Sequence, residues 1–234
     1  MSVAPEAAAV TEVAPAGFWR RYAAWSLDWL ALSALLAFLL AAPLARVWEQ
    51  LLALNALLQD WVFQRVVAAG GTLPSPVAMA FELLGDQSLK LALMAGMARL
   101  DATLVQVLLL VSGAGALYFI GFEAGPWQAT PGKRLAGLQV RNIRGERLGV
   151  WHTVLRHASG ILGWLTLNLG HALAAWRQDR RALHDLIAGA QVLASGPMPP
   201  WARTWLLMQA ALLAALVFGS IGWMLWLFWQ LATL

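Results

Sequence analysis

Residues 17–42 read GFWRRYAAWSLDWLALSALLAFLLAA, and this stretch decides the class of fold. From Tyr22 onward it is apolar over a length that can cross a hydrocarbon layer of about 30 Å. Asp28 interrupts the apolar run, seven residues after Arg21. A carboxylate at that depth costs roughly 2.5–3.5 kcal/mol on insertion scales, so we expect Asp28 to have a partner and a role.

The composition of the whole chain also indicates an integral membrane protein. Of the 234 residues, 60% are hydrophobic and 12% are charged, which is too apolar for an ordinary soluble domain. The 14 tryptophans suit the membrane–water interface. The net charge of +4 lies in short basic stretches beside apolar segments, which favours the lipid bilayer rather than nucleic acid as partner. With no cysteine, the chain has no disulfide and no thiolate chemistry.

Besides 22–42, the segments 102–123 and 204–231 are long and apolar enough to span the membrane. A fourth segment, 151–176, carries Arg156, three histidines and three glycines. A full crossing there would move the arginines that follow it to the outside, against the positive-inside rule. We therefore favour a re-entrant or interfacial helical hairpin, and predict an all-α polytopic membrane protein with three to four membrane segments.

Charge places the N-terminus in the cytoplasm. Arg20 and Arg21 come just before the first span, and no basic residue precedes them. Residues 1–16 lack the basic start and apolar centre of a signal peptide, so we expect a disordered tail. The segment 124–150 has five basic residues and is predicted to be cytoplasmic.

Two connecting segments have local patterns of their own. Residues 43–101 predict an external insertion made of an amphipathic helix, a turn and a shorter helix. This insertion is either a cap over the helices or a docking site or lid. Residues 135–150 alternate apolar and polar side chains around an Arg-Gly-Glu turn, which predicts a short cytoplasmic β-hairpin.

Motifs for other chemistry are weak. The Gly132-Lys133 step lacks the earlier glycine and the following Ser or Thr of a phosphate-binding P-loop. No histidine spacing matches a known metal site, and no catalytic triad can be assigned. We therefore expect no metal, no cofactor and no enzymatic activity.

Four stretches together resemble the RDD family of bacterial membrane proteins, which is named for one arginine and two aspartates. They are GFWRRYAAWSLDWL from residue 17, TPGKRLAGLQVRNIRGERL from 130, VLRHASG from 154 and RRALHDLIAGAQVL from 180. The resemblance covers about 17–42 and 102–193, and the chain departs from it in the insertion and in the last apolar segment.

The resemblance assigns the family residues to Arg21, Asp28 and Asp185. It implies a membrane domain over 17–193. Beyond that domain we expect a linker at 194–203 and, from its apolar length, a C-terminal transmembrane helix at 204–234. The resemblance also implies a bacterial cytoplasmic (inner) membrane location. Transport of unspecified ligands is the usual proposal for the family, with sodium–proton exchange suggested for some members.

Helix geometry refines the predicted charge cluster. Arg21 and Asp28 lie on one face of a helix but about 10.5 Å apart along its axis, too far for an easy salt bridge. We expect Arg21 to reach the headgroups and Asp28 to pair with Arg156 or with residues 130–134, and we favour Arg156. Asp185 is expected to pair with Arg21 or Arg134. The candidate cytoplasmic motif is Pro131, Gly132, Lys133, Arg134 and His184.

Two functions remain open from the sequence. The cluster either clamps helices together or contains a proton- or cation-responsive carboxylate. The first hypothesis is a small transporter or cation/proton exchanger that works as a homo-oligomer. The alternative is a non-transporting subunit that assembles with a membrane protein partner.

Overall fold

The computed structural model describes residues 13–72 and 74–233. Its elements in chain order are β1 (Val13–Pro15), α1 (Phe18–Ala68), α2 (Pro76–Gly85), α3 (Gln87–Ala124), α4 (Pro131–Leu135), β2 (Leu138–Asn142), α5 (Val150–Leu165), α6 (Leu169–Trp176), α7 (Leu183–Ile187), β3 (Ala190–Ser195) and α8 (Pro200–Ala232). The predicted all-α class is confirmed, with a small sheet added. Of the predicted N-terminal tail, residues 1–12 lie outside the described part, and Val13–Pro15 form a strand.

Three of the described helices are long and apolar enough to cross a membrane, namely α1, α3 and α8. Their most apolar windows have mean hydropathies of 2.1, 2.0 and 2.1. Helix α1 has 51 residues, which at 1.5 Å per residue is about 77 Å and more than twice the hydrocarbon thickness. The first predicted span and the predicted amphipathic helix of the insertion are therefore one continuous helix, which runs through Pro43. The strong helix formers after Pro43 outweigh the one backbone hydrogen bond that proline removes.

The described chain separates into two compact units. One contains residues up to Ala31 together with those from Ala116 onward, and the other contains Leu32–Gly115. The second unit is helical, and its helices are linked by Gln50 Nε2 donating to Thr103 Oγ1 at 3.1 Å. The predicted turn after the first helix is present at Gly70 and Gly71, both with positive φ.

Asp86 organises the start of α3 in this second unit. Its Oδ1 accepts from the backbone N of Leu89 at 3.0 Å and from Ser88 Oγ at 2.6 Å, so it acts as an N-cap. Its Oδ2 accepts from Trp61 Nε1 and from Arg65, each at 2.9 Å. The insertion therefore ends in a capped helix that runs directly into the second span.

The sheet of the first unit has the antiparallel order β1-β3-β2. Val140 faces Val192 across β2 and β3, and both are buried. The predicted hairpin over 135–150 is present in part, since β2 meets its return segment at the Arg141–Arg147 bridge, but the main partner of β2 is β3, which is distant in sequence. β2 pairs over more residues with β3 than with its return segment, because pairing with β3 extends the buried apolar face of the sheet.

The interrupted segment 151–176 forms two helices, α5 and α6, joined by a reversal. Leu167 and Asn168 take positive φ values of 51° and 66°. The helices have 16 and 8 residues, or about 24 Å and 12 Å, so neither crosses the hydrocarbon alone. This agrees with the hairpin that the glycines predict. The predicted linker at 194–203 is shorter than expected, since β3 ends at Ser195 and α8 begins at Pro200.

A short motif occurs twice in the first unit, and the pattern analysis missed it. Each copy is a five-residue helix, an Ala-Gly turn and a strand, with LAGLQV at 135–140 and IAGAQV at 187–192. The turn glycines, Gly137 and Gly189, have φ of 63° and 60°. The two strands pair with one another, so the two short helices α4 and α7 are brought to the same sheet.

Candidate functional site

Asp28 is buried in the first unit, at 1% relative exposure, and its partners are neutral groups. Oδ1 accepts from Tyr118 Oη at 2.9 Å and from the backbone N of Gly132 at 2.7 Å. Oδ2 accepts a short hydrogen bond from Thr130 Oγ1. These donors offset the burial cost of the carboxylate. The prediction of residues 130–134 as partners is confirmed, and the favoured partner, Arg156, is wrong.

The start of α4 fits closely against Asp28. Thr130 is its N-cap, accepting from the backbone N of Lys133 at 3.3 Å, and Pro131 holds the first helical position. A Cβ on Gly132 would lie 2.8 Å from Asp28 Oδ1 and would also overlap the Ala24 carbonyl oxygen. Asp28 therefore fixes α4 to α1 and so positions Lys133.

Asp185 is the most buried carboxylate of the described charge cluster, with 0% side-chain exposure. Arg21 Nη2 forms a short ion pair with its Oδ2, and Arg156 Nε donates to its Oδ1 at 2.8 Å. The backbone N of Ala182 also donates to Oδ2, at 3.1 Å, which caps α7. The predicted pairing of Asp185 with Arg21 is confirmed. The expectation that Arg21 reaches the headgroups is wrong, since its guanidinium is held between Asp185 and the Arg180 carbonyl oxygen.

Arg156 joins Asp185 to a second carboxylate, Glu123, at the end of α3. Its Nη1 pairs with Glu123 Oε2, and Lys133 Nζ pairs with Glu123 Oε1. The result is an alternating chain of charges, Arg21–Asp185–Arg156–Glu123–Lys133. Every side chain in it is at most 11% exposed. It contains three cations and two carboxylates, so it carries one net positive charge.

The environment sets the protonation of the groups that lie outside the long helices. Burial alone raises the pKa of Asp185, but the charges of Arg21 and Arg156 hold that pKa well below its usual range. Burial lowers the pKa of His184 to about 4, so this imidazole is neutral near pH 7. Burial also lowers the pKa of Lys133, an effect that the Glu123 carboxylate opposes. The Asp185 carboxylate is thus ionised, and a neutral histidine lies beside it.

Arg20, the neighbour of Arg21, has a different role. Its guanidinium donates to the carbonyl oxygens of Ala136 at 2.6 Å, Gly196 at 2.7 Å and Ser195 at 3.0 Å. These acceptors lie where α4 turns into β2 and where β3 ends. Arg20 therefore ties α1 to the sheet, while Arg21 enters the charge cluster.

The structure brings together most of the predicted site residues, with some exceptions. Arg134 is outside the charge chain, with its guanidinium 4.2 Å from the Trp127 ring centroid. Sequence reasoning missed Glu123 as a member, and it missed Tyr118 as a donor to Asp28. The signal for Glu123 was available, because it is a carboxylate at the end of an apolar span and resembles Asp28 in that respect.

A cavity of about 460 Å³ adjoins the cluster within the first unit. Arg21, Lys133, Arg156, His171 and His184 contribute to its wall. The imidazoles of His171 and His184 lie 5.0 Å apart, centroid to centroid. The charge chain therefore has an adjoining space of the size of small-molecule sites.

Comparison with known proteins gives two matches. The model of the RDD family matches residues 15–189, well over half of the chain. A protein of Bacillus subtilis (strain 168) with the name "Uncharacterized protein YxaI" is 25% identical over 179 residues, covering 76% of this chain and 97% of that relative. No solved structure matches the chain at a significant level. The matched range contains every residue of the charge chain.

Proposed function

Because this chain belongs to the RDD family, we propose that it is a small membrane transporter of the cation/proton exchange type. In this proposal a proton or cation competes with Arg21 and Arg156 for the Asp185 carboxylate. The observation that carries it is the alternating chain of buried charges beside a cavity. Charged groups buried among membrane helices commonly mark ion pathways.

The energetics of buried ion pairs support a switching role. Breaking a buried ion pair is costly because it leaves an unpaired charge, so Arg21 can leave Asp185 only when a proton or cation takes its place. A proton or cation on Asp185 would release Arg21 from its short ion pair. The freed guanidinium would then face the cavity that it already lines. Two arrangements of similar free energy are what an alternating transporter requires.

Asp28 has a positioning role in this proposal. Its two oxygens bind Tyr118, Thr130 and Gly132, all neutral donors. By fixing α4, it places Lys133 against Glu123 at one end of the charge chain. The exchanging carboxylate is therefore Asp185 rather than Asp28.

Flux in proteoliposomes tests the proposal. Purified protein with an enclosed pH-sensitive dye should move protons when a sodium, potassium or lithium gradient is imposed. Asp185→Asn should abolish this movement. Asp179→Asn is the matched control, because Asp179 is 40% exposed and pairs only with Arg177 among the described ion pairs. Absence of flux from the wild-type protein under all three gradients would overturn the proposal.

A folding control is needed, since Asp185→Asn leaves two buried arginines without their shared partner. Arg21→Gln combined with Asp185→Asn removes one charge of each sign and keeps the balance of the cluster. If this folded double variant still exchanges protons, Asp185 is not the exchanging group.

The proposed membrane orientation places the N-terminus and the segment 177–203 in the cytoplasm. The chain has no cysteine, so a single Arg180→Cys variant gives a clean labelling site on an exposed residue. We expect labelling by a membrane-impermeant thiol reagent only after the cells are opened. Labelling from outside intact cells would refute this orientation.

A second candidate is a non-transporting subunit, and α8 favours it. A Cβ built on Gly219 or Gly222 meets no atom within 4 Å in the described chain. Small residues of this kind allow another transmembrane helix, from a second copy or a different protein, to approach closely. Gly219→Leu and Gly222→Leu should then release a partner that co-purifies in fixed proportion, or convert a homo-oligomer to monomers. Unchanged assembly in both variants would exclude this role for α8.

A further inference from the structure

The cavity of about 460 Å³ beside the charge chain is lined by both basic and apolar side chains. The basic side chains are Arg21 on α1, Lys133 on α4 and Arg156 on α5. They come from three separate elements and meet at one space. Such convergence suits an anion whose oxygens point in several directions.

The carboxylates of the charge chain do not enter this space. Arg21 is 11% exposed, whereas the Asp185 carboxylate is 0% exposed. Among the described residues, no Asp or Glu lines the cavity. Each ion pair therefore has its cation on the cavity side, and an occupant meets positive charge.

The cations also retain donors. Arg156 donates from Nε and Nη1 to Asp185 and Glu123, and its Nη2 contacts His184 at 3.2 Å. Arg21 donates to Asp185 and to the Arg180 carbonyl oxygen. A guanidinium carries five N–H groups and an ammonium three. Each of these side chains therefore has N–H groups left for an anion after its intramolecular hydrogen bonds are made.

Aromatic and apolar side chains line the rest of the cavity. Phe18, Tyr22 and Trp25 share one face of α1 with Arg21, and the Phe18 and Tyr22 rings stack at 6.2 Å. Leu167 and Leu169, at the reversal between α5 and α6, also line the cavity and are 88% and 60% exposed. A small hydrophilic anion would leave these apolar side chains uncovered, whereas an amphiphile would cover both them and the basic groups.

We propose that this cavity binds the phosphate head of an anionic phospholipid, with the glycerol and first chain carbons against the aromatic side chains. A phosphodiester is tetrahedral, so its two charged oxygens and two ester oxygens point in four directions, which matches basic groups from three elements, whereas a carboxylate presents two oxygens in one plane. Free phosphate shares the head chemistry but has nothing to place against Tyr22 and Trp25. The inference goes beyond the proposed function and does not rest on it, since lipid binding is measured apart from cation flux.

Native mass spectrometry of the full chain in detergent tests this inference. The probes are dioctanoyl phosphatidylglycerol, dioctanoyl phosphatidylcholine and inorganic phosphate. We expect one phosphatidylglycerol per chain, bound about tenfold more tightly than phosphatidylcholine, which is neutral overall, and than inorganic phosphate. Equal binding of the two lipids would refute the claim that the site selects a negatively charged lipid. Binding of inorganic phosphate as tight as that of phosphatidylglycerol would refute the claim that the ligand is an amphiphile.

Two variants of α6 locate the site. Ala172 lines the cavity, so Ala172→Phe fills it without changing any charge. Ala175 is exposed on the same helix and does not line this cavity, so Ala175→Phe is the matched control. Phosphatidylglycerol binding should fall about tenfold in the first variant and stay unchanged in the second. Retained binding in Ala172→Phe would place the lipid elsewhere and overturn the inference.

A charge variant completes the test. Arg21→Gln with Asp185→Asn removes one cavity cation while keeping the net charge, and Arg144→Gln removes an exposed cation that is not in the cavity wall. Binding should weaken about tenfold in the first and not in the second. If the protein binds the lipid but shows no cation-driven flux, only the exchange proposal is contradicted. If it shows flux but does not bind the lipid, only this inference is contradicted.

Discussion

Lys133 and Asp185 occupy the same position of two repeated motifs, the third residue of α4 and of α7, and they carry opposite charges. Each short helix leads through a glycine with positive φ into one of two paired strands. Arg156 and Glu123 bridge the two positions. The repeat thus holds Lys133 and Asp185 at separate positions, and the Arg156–Glu123 ion pair connects them.

Replacement of Asp28 by asparagine should loosen α4. In Asp28→Asn an amide nitrogen takes the place of one carboxylate oxygen, so donors among Tyr118, Thr130 and Gly132 lose their acceptor, and we expect a loss of about 1–3 kcal/mol in unfolding free energy. Thermal unfolding in detergent measures it. Asp60→Asn, at an exposed position of the same helix, is the control and should stay within about 0.5 kcal/mol of wild type. Equal effects of the two variants would contradict the role assigned to Asp28.

Among the residues of the charge chain, replacement of Arg156 should cause the largest loss in unfolding free energy. Arg156→Gln leaves Glu123 and Asp185 buried without their shared cation, which should cost about 3–5 kcal/mol. In a double-mutant cycle, Glu123→Gln should relieve part of that loss, because the two side chains pair directly. If the losses in unfolding free energy of Arg156→Gln and Glu123→Gln simply add in the double variant, the two side chains do not interact directly. Arg177→Gln, which breaks an exposed ion pair, should cost less than about 1 kcal/mol.

Glycine 132 should tolerate no side chain. In Gly132→Ala the new methyl overlaps the Ala24 carbonyl oxygen and the Asp28 carboxylate, so the chain should unfold at a lower temperature. Gly160→Ala is the matched substitution, since its Cβ meets no atom within 4 Å in the described structure. It should stabilise α5 by about 0.5–1 kcal/mol because alanine favours the helix. A stabilising Gly132→Ala would show that α4 does not contact α1 as described.

His184 should make stability depend on pH. Its pKa falls from 6.5 to about 4 in the fold because burial disfavours the imidazolium. The unfolded chain therefore binds the extra proton first, and stability is fully present above pH 6.5 and is lost as the pH falls toward 4. The full loss should be on the order of 3 kcal/mol.

The check for this pH dependence is a comparison of variants by unfolding at pH 7 and pH 4.5. In His184→Gln the difference between the two pH values should shrink, whereas in His152→Gln, at an exposed position of α5, it should match wild type. An unchanged difference in His184→Gln would mean that other groups account for the acid sensitivity.

Several features of the fold could be predicted from local patterns. The three apolar spans, the turn at Gly70 and Gly71 and the interruption of 151–176 follow from composition and from glycine. The end of α1 could not be predicted, because one proline is a weak signal against a long run of helix formers. The partner of β2 could not be predicted either, since pairing with β3 depends on contacts between residues distant in sequence.

The sequence by itself determined that this is a membrane protein, and that Arg21, Asp28 and Asp185 need partners, because charges next to apolar spans are too costly to leave unpaired. Only the tertiary structure decided which partners they have. In that structure Asp28 accepts hydrogen bonds from three neutral donors, and Asp185 pairs with Arg156. Glu123 pairs with both Arg156 and Lys133 and so links them. The physical reason is that ion pairs form between groups close in space, and that proximity is set by the sheet pairing of two distant strands and by the packing of α1, α3 and α5.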